Sequence, residues 1–328
     1  MLRLRVFFAG RTMHKTILRG CYLLVLLILA ACARPAVPDS ALGVRRGPQV
    51  IGHAGSGFFT PISPFNALPP SSLGGIRQAL SRGADGVEID LQLSRDSVPI
   101  LFHDEDLTNR TRAQGYISQH TAAELTRLEY TGGWPYDWLQ HERVATLDEL
   151  LTELAERPSF PYLHLDLHEH DDANFAQPYV RSPALVRAIG RVMRRHQVPP
   201  ERLLILTQYE PSLRQLRREL PGAALGLEIT DQFEERLQQA VAAQVEAVVL
   251  SKYVITPERV ARAHARGLQV VVFGGRSKKA IQRLLGCRPD GIEVDNVPQL
   301  LSLLGRRGRP AEAVPQAHAG APKGGPLR

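Results

Sequence analysis

From Val50 to Leu304 one pattern recurs: a short run rich in branched aliphatic residues, a turn, then a segment with helical spacing. The strand-like runs are Val50 to Ala54, Val87 to Leu93, Tyr162 to Glu169, Arg202 to Thr207, Ala224 to Ile229, Ala247 to Ser251, Gln269 to Gly274 and Gly291 to Asp295. Between and after the later ones, helical spacing is read at Pro183 to His196, Pro211 to Leu220, Gln232 to Gln244, Pro257 to Arg266, Lys278 to Leu285 and Pro298 to Leu304. Strands joined by helical crossovers pair in parallel and bury both faces, so eight such units predict an α/β domain closed as a (β/α)8 TIM barrel. The competing architecture is a doubly wound open sheet. No glycine-rich phosphate fingerprint follows the first strand, which counts against a dinucleotide-binding version of it.

The stretch Gly83 to Asp104 carries the chemistry of such a barrel. Gly83, Asp85 and Gly86 read as a turn, and Val87 to Leu93 then alternates strictly. Val87, Ile89, Leu91 and Leu93 share one face; Glu88, Asp90 and Gln92 share the other. On its own this is also the pattern of an edge strand with a solvated acidic face. The strand Tyr162 to Glu169 repeats it, with three leucines opposite His164, Asp166 and His168. Buried carboxylates this close are costly unless a cation neutralises them. Glu88, Asp90 and Asp166 therefore suit a hard divalent cation, Ca²⁺ or Mg²⁺. His53 ends the first strand between glycines, and His103 ends the apolar run Ile100 to Phe102. Both fall where a barrel presents catalytic groups, and two imidazoles suit a general acid and a general base.

The remaining composition bounds the setting. A 44% hydrophobic content supplies one barrel-sized core, residues 50–305. At the N-terminus, basic residues between Met13 and Leu18 precede a short apolar run, Tyr22 to Leu29, and then Leu29-Ala30-Ala31-Cys32. That run is too short to span a bilayer and fits a secretory signal, residues 1–31. The cysteine resembles a bacterial lipobox, which implies cleavage before Cys32, acylation of its sulfur and an outer-membrane anchor facing the periplasm. Residues 32–49 read as a linker and 306–328, rich in Gly, Pro and Ala, as a disordered tail. Of three cysteines, Cys21 leaves with the signal and Cys287 is expected to be buried at a helix end, so no disulfide is expected. The net charge of +7 is inflated by both termini. No basic helix with interleaved aromatics points to nucleic acid, and no obligate protein partner is evident. Trp134, Tyr136 and Trp138 are expected either to pack their loop onto the domain or to line a binding mouth.

Taken together, the motifs resemble the glycerophosphodiester phosphodiesterase family of the phospholipase-C-like phosphodiesterases. Its His-Arg-Gly opening matches His53-Ala54-Gly55; its Gly-Ala-Asp, Glu-X-Asp and His-Asp motifs match Gly83 to Asp85, Glu88 with Asp90, and His103-Asp104. Its Ile-Glu-Ile-Lys strand matches Leu165 to His168, and its closing Asp-Gly-Ile-X-X-Asp matches Asp290 to Asp295. The resemblance implies a barrel that hydrolyses glycerophosphodiesters to glycerol 3-phosphate and an alcohol, with a cation on Glu88, Asp90 and Asp166 and with His53 and His103 moving protons. It leaves open which histidine is acid and which is base. Several positions depart from the family. Ala54 stands where a phosphate-contacting Arg is usual, Pro70 and Ser71 where a Glu and an Asn are, Asp166 for Glu, His168 for Lys, and Arg276 for Asn. Two further readings remain beside this one, a lysophospholipase-D-like enzyme and a non-catalytic phosphodiester-binding lipoprotein.

Overall fold

The computed structural model describes residues 47–61 and 65–306. The expected signal sequence, Cys32 and most of the expected tail lie outside the described residues. Eight parallel strands close on themselves: β1 (Gln49–Gly52), β2 (Gly86–Leu93), β5 (Tyr162–Leu167), β6 (Leu203–Thr207), β7 (Ala224–Ile229), β8 (Ala247–Ser251), β9 (Gln269–Phe273) and β10 (Gly291–Val294). Pairing of β1 with both β10 and β2 completes the barrel and excludes an open sheet. Two short strands, β3 (Pro99–Leu101) and β4 (Ala145–Thr146), are an antiparallel excursion from the end of β2. It is this excursion, rather than a barrel strand, that carries His103.

The helices follow the sequence pattern closely. They are α1 (Leu73–Ser81), α2 (Ala122–Leu125), α3 (Tyr136–Leu139), α4 (Leu147–Ala155), α5 (Ser182–Arg195), α6 (Glu210–Glu219), α7 (Phe233–Ala242), α8 (Pro257–His264), α9 (Lys278–Gly286) and α10 (Val297–Leu303). Ser72 caps α1 by accepting from the Gly75 N–H, which satisfies one orphan donor of the first turn. Its neighbour Ser71, at φ 55°, is thereby turned into the barrel instead. After Thr121 the chain makes only the single turn of α2, behind a Thr121–Glu124 capping box. Cys287 lies buried as a free thiol just past α9. Of Trp134, Tyr136 and Trp138 only Tyr136 packs, against Phe59 and Phe65; Trp134 and Trp138 each remain 78% exposed.

The alternation in each strand separates two interiors. Val87, Ile89, Leu91, Leu163 and Leu165 face outward into the helices and are wholly buried there. The other face fills the barrel, and it is divided. Leu204, Leu206, Ala224, Ala247, Val249 and Val271, from β6 to β9, form a separate apolar plug. Opposite them β2, β5 and β10 contribute Glu88, Asp90, His164, Asp166 and Glu293. The site is therefore backed by a rigid hydrophobic wall and opens at the carboxyl ends of the strands.

At the opposite end Asp85 accepts from the Val50 N–H and takes a two-pronged ion pair from Arg306, with N···O distances of 2.7 and 2.9 Å. This gives the turn before β2 its reason for an aspartate. Gly86 is required for contact: a Cβ there would lie 2.1 Å from the Tyr162 carbonyl oxygen on the paired strand. Gly86→Ala must push β2 from β5, and it is expected to cost roughly 3 kcal/mol or more of stability. A urea unfolding midpoint equal to that of the wild type would contradict this packing.

Candidate active site

His53 sits immediately after β1, and its Nδ1 is 2.7 Å from Oδ1 of Asp295, the residue just past β10. The two strands are neighbours, so residues 242 apart in sequence become a pair. The turn behind His53 is tight. Ala54, at φ 43°, donates its N–H to Glu88 Oε2 at 2.6 Å, and the Gly55 N–H binds the Glu88 carbonyl. Gly57 has φ 83°, and a Cβ there would come within 3.1 Å of the Asp295 backbone and Cβ. Glycine is needed at that point on both counts. Burial opposes charging of His53, but the Asp295 hydrogen bond and negative charge outweigh it and raise the imidazole above its ordinary value. Asp295, also desolvated, is held below the usual carboxylate range by the same bond.

His103 has the same arrangement. Its Nδ1 is 2.8 Å from Asp104 Oδ1, and Arg110 Nε donates to the other oxygen at 2.7 Å. The Gln92 amide donates to the carbonyls of Phe102 and Asp104, fixing this segment against β2. With Nδ1 of each ring committed to a carboxylate, each Nε2 is left for proton transfer. The Phe58 ring stands between them, its centroid 5.3 Å from His53 and 4.8 Å from His103.

The carboxylates come together through strand register. Asp90 pairs with Asp166 and Glu88 with His164 across β2 and β5. His168 Nε2 lies 3.0 Å from Asp90 and 3.7 Å from Asp166. One ligand atom from each of these three residues falls within 4.8 Å of the others, the spacing of a metal-binding group. Ser71 donates to Asp90 Oδ2 at 2.6 Å and accepts from its N–H. Desolvation opposes ionisation of Asp90, yet the hydrogen bond from His168, with that from Ser71, holds it well below the ordinary range. Glu88 and Asp166 go the other way. Burial, with the charge of Asp90 on Glu88 and of Glu228 on Asp166, pushes both well above it. His168 is desolvated too, but its hydrogen bond to Asp90 raises it to about 9. Glu88 lies one layer deeper than Asp90, and its Oε1 is buried without a protein partner.

Of the five residues singled out in the sequence, His53 and His103 flank Phe58 and Asp90 and Asp166 meet at His168, while Glu88 lies one layer deeper and outside that ligand group. Partners that sequence reading did not supply are Asp295 for His53, Glu228 beside Asp166, and Glu293, which takes His164 Nδ1 at 2.6 Å inside the barrel. The departures also find places: Ser71 binds Asp90, His168 bridges two carboxylates, and the Arg276 guanidinium reaches the Phe58 carbonyl at 3.4 Å.

The sequence profile of the glycerophosphoryl diester phosphodiesterase family matches residues 65–299. The chain belongs to that family. Within the family it is 22% identical over 242 residues to a glycerophosphodiester phosphodiesterase of Caldanaerobacter subterraneus, covering 74% of this chain and 94% of the relative. It is 25% identical over 230 residues to one of Bacillus altitudinis, covering 69% and 89%. Among solved structures, a phosphodiesterase of Oleispira antarctica in complex with the product sn-glycerol-3-phosphate superposes with a TM-score of 0.64 at 24% identity, over 79% of this chain and 97% of the other. The last likeness bears on the fold.

Since Asp295 is what raises His53, Asp295→Asn is expected to move the limb of the pH–rate profile that reports His53 to lower pH. Turnover should fall on the order of tenfold or more through misorientation of the ring. An NMR titration of His53 that is unchanged in the variant would contradict the pairing.

Proposed function

We propose that this protein is a metal-dependent phosphodiesterase that hydrolyses glycerophosphodiesters to glycerol 3-phosphate and an alcohol. The observation that carries this reading is a pair of histidines, each oriented by its own aspartate, beside a cluster of carboxylates that outnumber the cationic His168 among them. Glu88 Oε1 is orphaned and the Glu88 and Asp166 carboxyls resist ionisation, a donor set that fits a hard divalent cation such as Ca²⁺ or Mg²⁺. Glu88, Asp90 and Asp166 would hold it, and it would supply Lewis-acid polarisation of a phosphoryl oxygen.

The chain's own residues do the rest. Asp295 stabilises the imidazolium of His53, so His53 is suited to give a proton to the leaving alcohol. His103, its Nδ1 engaged with Asp104 and its Nε2 left over, takes the proton from the attacking oxygen. Phe58 packs edge-on against both rings and so helps fix their positions. A lysophospholipase-D-like activity is the second reading. It is favoured by Trp134, Trp138 and Leu139, exposed apolar side chains on the excursion that carries His103.

Glu88→Gln and Asp90→Asn are expected to lower turnover of glycerophosphocholine by at least about 10²-fold and to reduce bound metal, read by elemental analysis. Full activity of either variant after chelation would sink the metal role. Assay of glycerophosphocholine against lysophosphatidylcholine separates the two substrate readings. Export and attachment through Cys32 belong to the same proposal, and Cys32→Ser should then appear in the soluble fraction; unchanged membrane retention would count against the anchor.

A further inference from the structure

Beyond the metal carboxylates, between the ends of β5 and β6, a cavity of about 170 Å³ opens from the same mouth. Asp166 and His168 form its shared edge with the catalytic groups. Its far wall is aromatic: Tyr179 and Tyr209 stack with centroids 4.1 Å apart and planes 3° from parallel, and His170 meets Tyr179 edge-on at 5.5 Å. Glu105 also lines it, and its carboxyl is hydrogen-bonded to that of Asp172, which raises the Glu105 pKa. Asp172 in turn is 2.8 Å from His170. Among the described residues no lysine or arginine lines this cavity, and the imidazole of His168 at its edge is engaged by Asp90 at 3.0 Å. At the His53 side, by contrast, Arg276 and Lys252 act on Asp295.

We propose that this cavity receives the leaving alcohol and selects one bearing a cationic ammonium group, with Glu105 and the Tyr179–Tyr209 pair as specificity determinants. The assignment rests on the phosphodiesterase reading above. A carboxyl pair forced to share a hydrogen bond gains when a cation enters between or beside it, and aromatic rings hold a quaternary or primary ammonium without competing for its hydration as a lone carboxylate would. A neutral polyol finds neither benefit there. A phosphodiester with a two-carbon amino alcohol would lie with its anionic centre by the cation site and His53, and its positive end toward Glu105. Charge complementarity thereby fixes which ester oxygen is presented for protonation.

The test compares kcat/KM for glycerophosphocholine and glycerophosphoglycerol in the wild type, Glu105→Gln and Tyr179→Ala. The wild type is expected to favour the choline ester by about tenfold, and each variant to cut that ratio by roughly three- to tenfold, because ammonium–aromatic and ammonium–carboxylate contacts are lost. Calorimetric titration with choline chloride reads the subsite without turnover; binding should weaken by a similar factor in both variants. A wild-type ratio near one, a ratio unchanged in the variants, or equal losses on both substrates would overturn the proposal. So would loss of one metal ion per chain in Glu105→Gln, which would make Glu105, His170 and Asp172 a second metal site. If no diester is hydrolysed by the wild type, the catalytic reading fails, and the choline titration alone then decides whether the cavity takes an ammonium group.

Discussion

Repulsion among carboxylates inside the barrel is the constraint around which the structure is arranged. Glu88, Asp90, Asp166, Glu228 and Glu293 all project into one lumen, and Asp90 lies directly across from Asp166 in strand register. Two unit charges about 4 Å apart in surroundings of effective dielectric 20 interact by about 4 kcal/mol, comparable to a sizeable share of a domain's net stability. The chain answers locally wherever it can. His164 takes Glu293, His168 takes Asp90, the Ala54 N–H and Ser71 hydroxyl each take an oxygen, and the Gln208 amide takes Glu228. What remains least compensated is the deep oxygen of Glu88, which has no hydrogen-bond partner, and the carboxylate of Asp166, which His168 approaches only to 3.7 Å.

The division of the lumen explains how the fold tolerates this arrangement. Strands β6 to β9 spend most of their inward positions on a leucine, alanine and valine plug, with Glu228 near the end of β7 as the charged exception, so charge is concentrated on the side of β2, β5 and β10. That side is built from strands whose outward faces are among the most completely buried in the molecule, with Val87, Ile89 and Leu165 at zero exposure. The hydrophobic packing outside holds β2 and β5 in the register that forces Asp90 against Asp166. Stability and function are therefore set by opposite faces of the same strands. Gln92 extends the logic one step further, since its amide ties the excursion bearing His103 to β2.

Most of this was legible in the sequence because it is local. Strand alternation placed Glu88 with Asp90 and Asp166 with His168, and the glycines around His53 marked the turn that presents it. Pairings across the closure of the barrel were not legible: His53 meets Asp295 at a separation of 242 residues, and His164 meets Glu293 at 129. Periodicity fixes which face a residue occupies, but ring closure decides which residue faces it. The antiparallel excursion was missed for a related reason, since a three-residue strand carries too little pattern to reveal its partner. The aromatic cavity was hidden because Tyr179 and Tyr209 come from separate βα loops whose approach no spacing rule describes. The exposure of Trp134 and Trp138 likewise ran against the ordinary expectation that large aromatics pack.

The decisive question is whether Glu88, Asp90 and Asp166 form a cation site beside the two histidines. Anomalous diffraction from crystals soaked in Mn²⁺, a scattering substitute for Mg²⁺ or Ca²⁺, tests it directly. The account predicts one strong peak within coordination distance of Glu88, Asp90 and Asp166, open toward His53 and His103. A barrel whose only bound ion sits at Glu105, His170 and Asp172, or which binds none at millimolar Mn²⁺, would contradict it.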